Sequence, residues 1–528
     1  MPLDAVTRVP VPLGEPVRGH APGSAERERL ERRLDELAAE PLPLPMTIAG
    51  ELRFGGGERI DVVQPHHRAA RLGVLGSATH EDARLAVDAA LAAAPDWRAL
   101  PFDERAAVLL RAADLLAGPW RETLAAATVL GQSKTALQAE LDAVCALADL
   151  WRSGVHTARR ILAEQPASPP GTWRRADHRP LDGFAYVLTR FDSTAAAGYA
   201  ATAPALMGNT VVWKPAPAQT FAAHHLMRLL EAAGLPPGVV NLVTGDGRAA
   251  SQVALASPAL AGLHFTGTAA AFHGLWTEIA AHLDRYRNRP RITGDTGGKG
   301  FLLAHPSADP DLLRTALVHG AFAHQGQGRS ALGRAHLPRT LWRRIRADLL
   351  AEVDALAVGD VTDLGTAMGA LIDGPAYERT RAAIERAGRD PGTELAAGGQ
   401  YDDAIGWFVR PTVLDCADGR GEIFRTDCPG PVLAVRVYED ADWEAALHRV
   451  CTDAPQAPTG SVLARDRYAT AQAVDRLRFA AAGLRVNGGP GGTVDRAGAA
   501  ADLLRWTSVR AVEEAFGAPV GDSRTHLG

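Results

Sequence analysis

The residues best suited to chemistry are scarce ones. Of 56 basic residues only three are lysine, Lys134, Lys214 and Lys299. In a chain that otherwise uses arginine, a surviving lysine marks a place that suits a compact ammonium and not a planar guanidinium. The plain alternative is chance. All three sit in motifs punctuated by Gly, Pro or Trp: "GQSKT", "VVWKP" and "GGKG". Lys214 follows Trp213 at the end of an apolar run, where a strand-end lysine reaches ribose hydroxyls or phosphate, or is simply a surface residue. "HFTGT" puts Gly267 and Thr268 at a strand-to-helix turn, whose free N–H groups make an anion site. "RITGDTGGKGF" sets Asp295 beside three glycines, which permit close backbone approach or merely form a turn. "AHQGQGRSALG" places Arg329 and Ser330 after two glycines around a glutamine. Arginine stays protonated, so Arg329 cannot attack a carbonyl, but it can grip a carboxylate through two N–H bonds.

The elements that must carry these residues are legible in outline. Residues 1–22 read as an extended arm, and "SAERERLERRLDELAAE" (24–40) as a helix with Ser24 at its N-cap. Residues 79–164 read as a run of Ala/Leu-rich helices. From "GFAYVLTRF" onward strands and helices alternate: strand 210–215, helix 218–233, strand 238–243, helix 248–256, strand 262–267, helix 269–285. That alternation implies βαβ units and a parallel, doubly wound sheet. A second α/β block follows, with "GFLLAH", a helix from about 308, "RAHLP", helix 339–356, "WFVRPTVL" and "PVLAVRVY". The expected division is 1–295 (arm, helices and dinucleotide-binding domain), 296–490 (second α/β domain) and 491–528 (tail), with the hinge at Gly294–Gly300.

Composition narrows the classes. A chain of 528 residues, 46% apolar, is suited to two or three domains. Net charge is −5 and no basic stripe alternates with aromatics, so nucleic acid is not an expected partner. The four cysteines show no CxxC spacing, which argues against a metal site or a disulfide framework. No window of about eighteen apolar residues occurs, so no membrane span is expected. The first thirty residues lack an apolar signal region, and the reading is a cytoplasmic protein.

The ordered motifs "GQSKTALQAELD", "APALMGNTVVWKP", "GLPPGVVNLV", "HFTGT", "GGKG", "GQGRSA", "GPVLAV" and "LRWTS" resemble the aldehyde dehydrogenase superfamily, nearest its 1-pyrroline-5-carboxylate (glutamate semialdehyde) branch. The resemblance implies an NAD-binding Rossmann-like domain, a catalytic-type α/β domain and a small β oligomerisation flap. The flap strands fall at about 170–190, with the tail near Leu503–Ala515, so a homodimer or higher oligomer is expected. It also implies a thiol nucleophile, an Asn amide for the oxyanion and a Glu base. The family's G-Q-x-C-S falls on Gly326–Ser330, so the thiol position holds Arg329 while Gln327 and Ser330 are kept. The base position holds Asp295, and the Asn position holds Asp192. On the cofactor side, Lys214 with Trp213, Gly267 with Thr268, and Asp427 match the dinucleotide contacts for NAD or NADP. The site is weakened, because Pro217 replaces an expected acid and E-x-F becomes Asp427-Cys428-Pro429. The anchor loop that holds the substrate carboxylate in the nearest branch is missing.

One cation therefore arrives where two carboxylates converge, which predicts an Asp192–Arg329–Asp295 cluster. Two readings follow. In one, Arg329 binds a small amino-aldehyde, cyclic imine or amino-acid-like carboxylate, with non-thioester hydride-transfer or acid/base chemistry. In the other, the cluster is a plug in an inactive binding or oligomeric partner. Cys428 is the cysteine nearest the cofactor segment, and thioester chemistry is not expected.

Overall fold

Three strands that are buried at every position anchor two sheets: Phe184–Thr189, Thr210–Pro215 and Gly300–Ala304. Such unbroken burial belongs to parallel strands covered on both faces. The computed structural model describes residues 7–417, 421–428, 430–453, 456–489 and 499–516. Among them the first sheet has seven strands. Arg291–Thr296 forms one edge, followed by Leu260–Gly267, Phe184–Thr189, Thr210–Pro215 and Val240–Leu242, all parallel. Met46–Ile48 and Glu51–Arg53 extend it in the antiparallel sense. A second seven-stranded sheet runs from Thr393–Ala397 through Thr412–Cys416, Val432–Tyr438, Leu332–Pro338, Gly300–Ala304 and Ala457–Leu463 to Ala481–Val486. The chain passes from the first sheet to the second between Thr296 and Gly300.

The helices that cover the first sheet start where local chemistry starts them. Ser24 accepts from the Arg27 N–H at the head of Ala25–Ala38. Thr79 and Asp82 form a reciprocal capping box ahead of His80–Ala99. Thr268 accepts from the Ala271 N–H to open Ala269–Ala281. Between short helix Ala136–Ala139 and Leu147–Ala163 the chain widens into a π-turn, Glu140–Ala146. Such bulges reorient side chains. Here the turn delivers Glu140 to Arg121 and Asp142 to the head of helix Thr194–Leu206, where Asp142 accepts from Ser193 Oγ (2.5 Å) and the Thr194 N–H (2.9 Å).

Several sequence expectations shift. The "WFVRPTVL" strand is two pieces, Phe408–Val409 in a small hairpin and Thr412–Cys416 in the second sheet, because Pro411 has no N–H to continue a ladder. Only Thr172–Pro180 of the 170–190 segment forms a flap ribbon, pairing antiparallel with Thr507–Ala515, while residues 184–189 belong to the first sheet. The arm at residues 7–22 has no regular structure and is held by side chains, with Glu15 and Pro16 against Arg121.

Candidate active site

All three lysines are buried, at 3%, 6% and 4% exposure for Lys134, Lys214 and Lys299, and each donates to a backbone carbonyl. Lys134 Nζ bridges the Asp142 carboxylate (2.6 Å) and the Asp192 carbonyl (2.8 Å), so it fixes the segment that carries Asp192. Lys299 Nζ reaches the Thr426 carbonyl at 3.1 Å and so ties the glycine turn to the segment bearing Asp427. Lys214 Nζ lies 3.3 Å from the Gly245 carbonyl and packs over Gly247. Burial pushes the Lys214 pKa down to about 8, against the pull of Asp246. A compact ammonium suits each of these buried positions.

Arg329 sits after a loop of unusual backbone. His324, Gln325 and Gly326 take φ of 50°, 55° and 65° in succession. Side chains over-determine this left-handed run. Gln325 Nε2 donates to the Ser133 carbonyl (2.9 Å), Gln327 Nε2 to Gln325 Oε1 (3.1 Å), and the Ile372 N–H to Gln327 Oε1 (2.9 Å). Left-handed non-glycine residues cost about 1–3 kcal/mol each and persist only when so held. Gly326 has a second constraint, since a Cβ there would lie 2.3 Å from the Gly430 carbonyl oxygen. Gly326→Ala is therefore expected to cost roughly 2 kcal/mol or more and to displace the loop. A denaturation midpoint unchanged from wild type would contradict this.

From that loop Arg329 forms an ion pair with Asp295, on the edge strand Arg291–Thr296. Asp295 lies opposite Thr266, and Thr293 opposite His264. His264 bonds to Thr293 Oγ1 (2.9 Å) and Thr266 Oγ1 (3.2 Å), and burial pushes its pKa down to about 4, so it is neutral. Burial works to raise the Asp295 pKa, but the Arg329 guanidinium, helped by Arg505, overcomes it and holds the carboxyl below its ordinary value. Asp295 is thus a settled anion.

Half of the expected cluster forms. Among the described residues Asp192 pairs with Arg190 (3.3 Å) and not with Arg329, because Arg190 stands two residues away on the same turn and reaches the carboxylate first. Arg190 also donates to the Gln327 carbonyl (3.3 Å), so it joins the Asp192 segment to the Arg329 loop. Sequence reasoning missed Arg190, His264 and Arg505. "RFD" offered the signal for Arg190, whereas Arg505 comes from the far tail and had none. Ser330 enters through its carbonyl, which accepts from Thr459 Oγ1 (3.2 Å).

The positions expected to contact a dinucleotide lie at the carboxyl ends of strands in the first sheet. Trp213 is buried and donates Nε1 to Thr189 Oγ1 (2.9 Å), which makes it a support of the strand end. Gly267 ends its strand with the Phe265 ring folded where a Cβ would stand. Thr268 begins a thirteen-residue helix whose first-turn N–H groups fit a pyrophosphate. Lys214, partnered only by a carbonyl among the described residues, has donor capacity left for ribose hydroxyls. These groups fit a dinucleotide. Asp427 is exposed, with its carboxylate close to Gly297 in the glycine turn. Pro429 lies outside the described residues, as does 490–498 of the shortened tail loop. Among the described residues no group of three His, Cys, Asp or Glu side chains is placed to hold a metal, and no helix is long and apolar enough to cross a membrane.

Over residues 54–498 the chain matches the model of the Aldehyde dehydrogenase family. It is 36% identical over 526 residues to the mitochondrial delta-1-pyrroline-5-carboxylate dehydrogenase of Bos taurus, covering 97% of this chain and 93% of the relative. Identity to the Agaricus bisporus delta-1-pyrroline-5-carboxylate dehydrogenase is 37% over 531 residues, with 97% and 96% covered. The crystal structure of the Delta-pyrroline-5-carboxylate dehydrogenase from Mycobacterium tuberculosis bound with NAD superposes at a TM-score of 0.96, with 54% identity and 100% of both chains covered.

Proposed function

The chain belongs to the aldehyde dehydrogenase family, and from that premise we propose that it binds NAD or NADP beside a small carboxylate-bearing amino-aldehyde, or its cyclic imine, and acts on it without a thioester. One observation carries this reading. Arg329, which the family motif sets at the nucleophile position, is paired on one side with Asp295 and is still about one-third exposed, with guanidinium N–H groups that have no other protein partner among the described residues. Those N–H groups are suited to a ligand carboxylate. Asp295, held ionised by Arg329, orients that fork. Its depressed pKa suits it poorly to general base work, which favours a pKa near the working pH.

The three least exposed cysteines are poorly suited to restore a nucleophile. Burial raises the pKa of Cys145 to about 12 and of Cys416 to about 11, and it also raises that of Cys428, which Lys299 only partly offsets. A thiol held protonated is a poor nucleophile. A bound nicotinamide would accept a hydride from the aldehyde's hydrate, with water as the added nucleophile, or give one to an imine carbon, and neither reaction requires the thiol. Lys214, Gly267 and Thr268 are the residues to hold it.

The test is a titration of the full chain with NAD, NADP and 1-pyrroline-5-carboxylate, following reduced nucleotide and intact mass together. Turnover with no covalent adduct supports the reading, and an acyl adduct overturns it. Binding with no turnover favours the second reading, an inactive binding partner. That alternative draws on the same ion pair, because Arg329 and Asp295 already neutralise each other. Dinucleotide affinity is expected to hold below about pH 8 and to fall above it, as the buried Lys214 ammonium loses its proton. Lys214→Met should lower the affinity and flatten that profile. A pH-independent wild type would remove Lys214 from the ribose contact.

A further inference from the structure

The strand that carries Asp295 has a second use. Arg291, Thr293 and Asp295 alternate along it, so they share one face of the first sheet. Cross-strand, Gly262 lies opposite Arg291. A Cβ on Gly262 would lie 2.6 Å from the Trp506 ring, so the tail packs on the sheet at this glycine and delivers Arg505 beside Arg291. A cavity of about 390 Å³ opens there, lined by Arg291, Ile292, Thr293, Gly294 and Arg505. Four consecutive residues line it because it follows the free edge of the sheet, where backbone N–H groups have no neighbouring strand. Arg505 has Asp502 at 3.0 Å, and Arg291 has no partner among the described residues. The cavity therefore offers two guanidinium forks, edge N–H groups and one counter-charge.

We propose that this cavity is a second ligand site, which takes a small oxyanion, phosphate or a short carboxylate, between Arg291 and Arg505. Planar forks and backbone N–H groups are the donors that such oxygens prefer. The site is distinct from Arg329, which lies over the far end of the same strand, roughly 13 Å along it by strand rise. It is electrically connected to it, since Arg505 already acts on both His264 and Asp295. An anion seated on Arg505 would offset that influence and so report its occupancy to the Arg329–Asp295 pair. None of this depends on the chemistry at Arg329.

Inorganic phosphate and succinate, titrated separately into the full chain by calorimetry in chloride-poor buffer, test the proposal. At least one is expected to bind saturably, with a dissociation constant on the order of 0.1–1 mM. Arg291→Gln and Arg505→Gln should each weaken it at least about tenfold, as the loss of one charged hydrogen-bonding group does, while Arg329→Ala leaves it in place. Which anion binds decides between phosphate and carboxylate. Both arginines are partly solvent-exposed, and an unchanged melting temperature without anion verifies the variants. Should Arg505→Gln melt early through loss of its Asp502 pair, Arg505→Lys keeps the charge and loses only the fork, and an intermediate affinity is expected. Saturable binding by neither anion, or binding lost in Arg329→Ala but kept in Arg291→Gln, overturns the proposal.

Discussion

Arg329→Ala is expected to weaken binding of a carboxylate-bearing amino-aldehyde or imine by roughly 10- to 150-fold, about 1.5–3 kcal/mol, the usual worth of a hydrogen bond to a charged group. The lower half of that range is the better guide, because the side chain is about one-third exposed and solvent screens it. Arg329→Lys should fall between alanine and wild type, since it restores the charge without the fork. The variant should also release Asp295. With Arg329 gone, the largest remaining influence is burial, which raises a carboxyl pKa. Asp295 should then titrate higher than in wild type, visible in the pH dependence of ligand binding. An alanine variant that holds the ligand as tightly as wild type removes the carboxylate grip and leaves the inactive-partner reading.

The largest stability effect is expected outside the Arg329–Asp295 pair, at Arg121. Its side chain is 2% exposed and is held by Glu140, by Glu15 (2.7 Å) and by the Pro16 carbonyl (2.7 Å). Glu140 is itself 1% exposed. Removing the cation leaves a buried carboxylate without its partner, which costs about 3–5 kcal/mol. Arg121→Met should lower the unfolding free energy, measured by denaturant titration, by that amount and free the arm at residues 7–22. Arg27→Ala, which breaks an exposed helix pair with Glu31, should cost under about 0.5 kcal/mol. Adding Glu140→Gln to Arg121→Met should recover part of the loss, because the stranded charge goes with it. The pH sense follows from Glu15. Burial raises its pKa, but Arg152 and Arg121 outweigh burial and hold it below the ordinary 4.5. That contribution is present above pH 4.5 and is lost as pH falls through the depressed value. In Arg121→Met this acid limb should shrink. A variant as stable as wild type would show that the arm is held by something else.

The extent to which sequence spoke for structure differs by element. Helix 248–256 and strand 210–215 were legible to the residue, because apolar patterning and the flanking Gly and Pro punctuation are local. Ordered motifs singled out Lys214, Thr268 and Asp295, which lie at the carboxyl ends of strands in the first sheet, and Arg329. The Arg329–Asp295 pair followed from charge, since a cation among carboxylates finds one. Asp192 was assigned the wrong partner. The competing cation, Arg190, differs from Arg329 only in where its backbone lies, and charge alone cannot rank two arginines. Lysine scarcity marked three positions, but that all three are buried against carbonyls is a property of packing.

The chain by itself therefore determined which elements form and that an arginine, Arg329, stands in the G-Q-x-x-S loop. Only the tertiary structure decided who pairs with whom. It let Arg190 take Asp192, bent His324 and Gln325 into left-handed backbone, and brought Arg505 from the tail to Arg291 across Gly262. The physical reason is range. Periodicity and caps act over a few residues, while ion pairs and cavities depend on distances of a few ångströms between segments hundreds of residues apart.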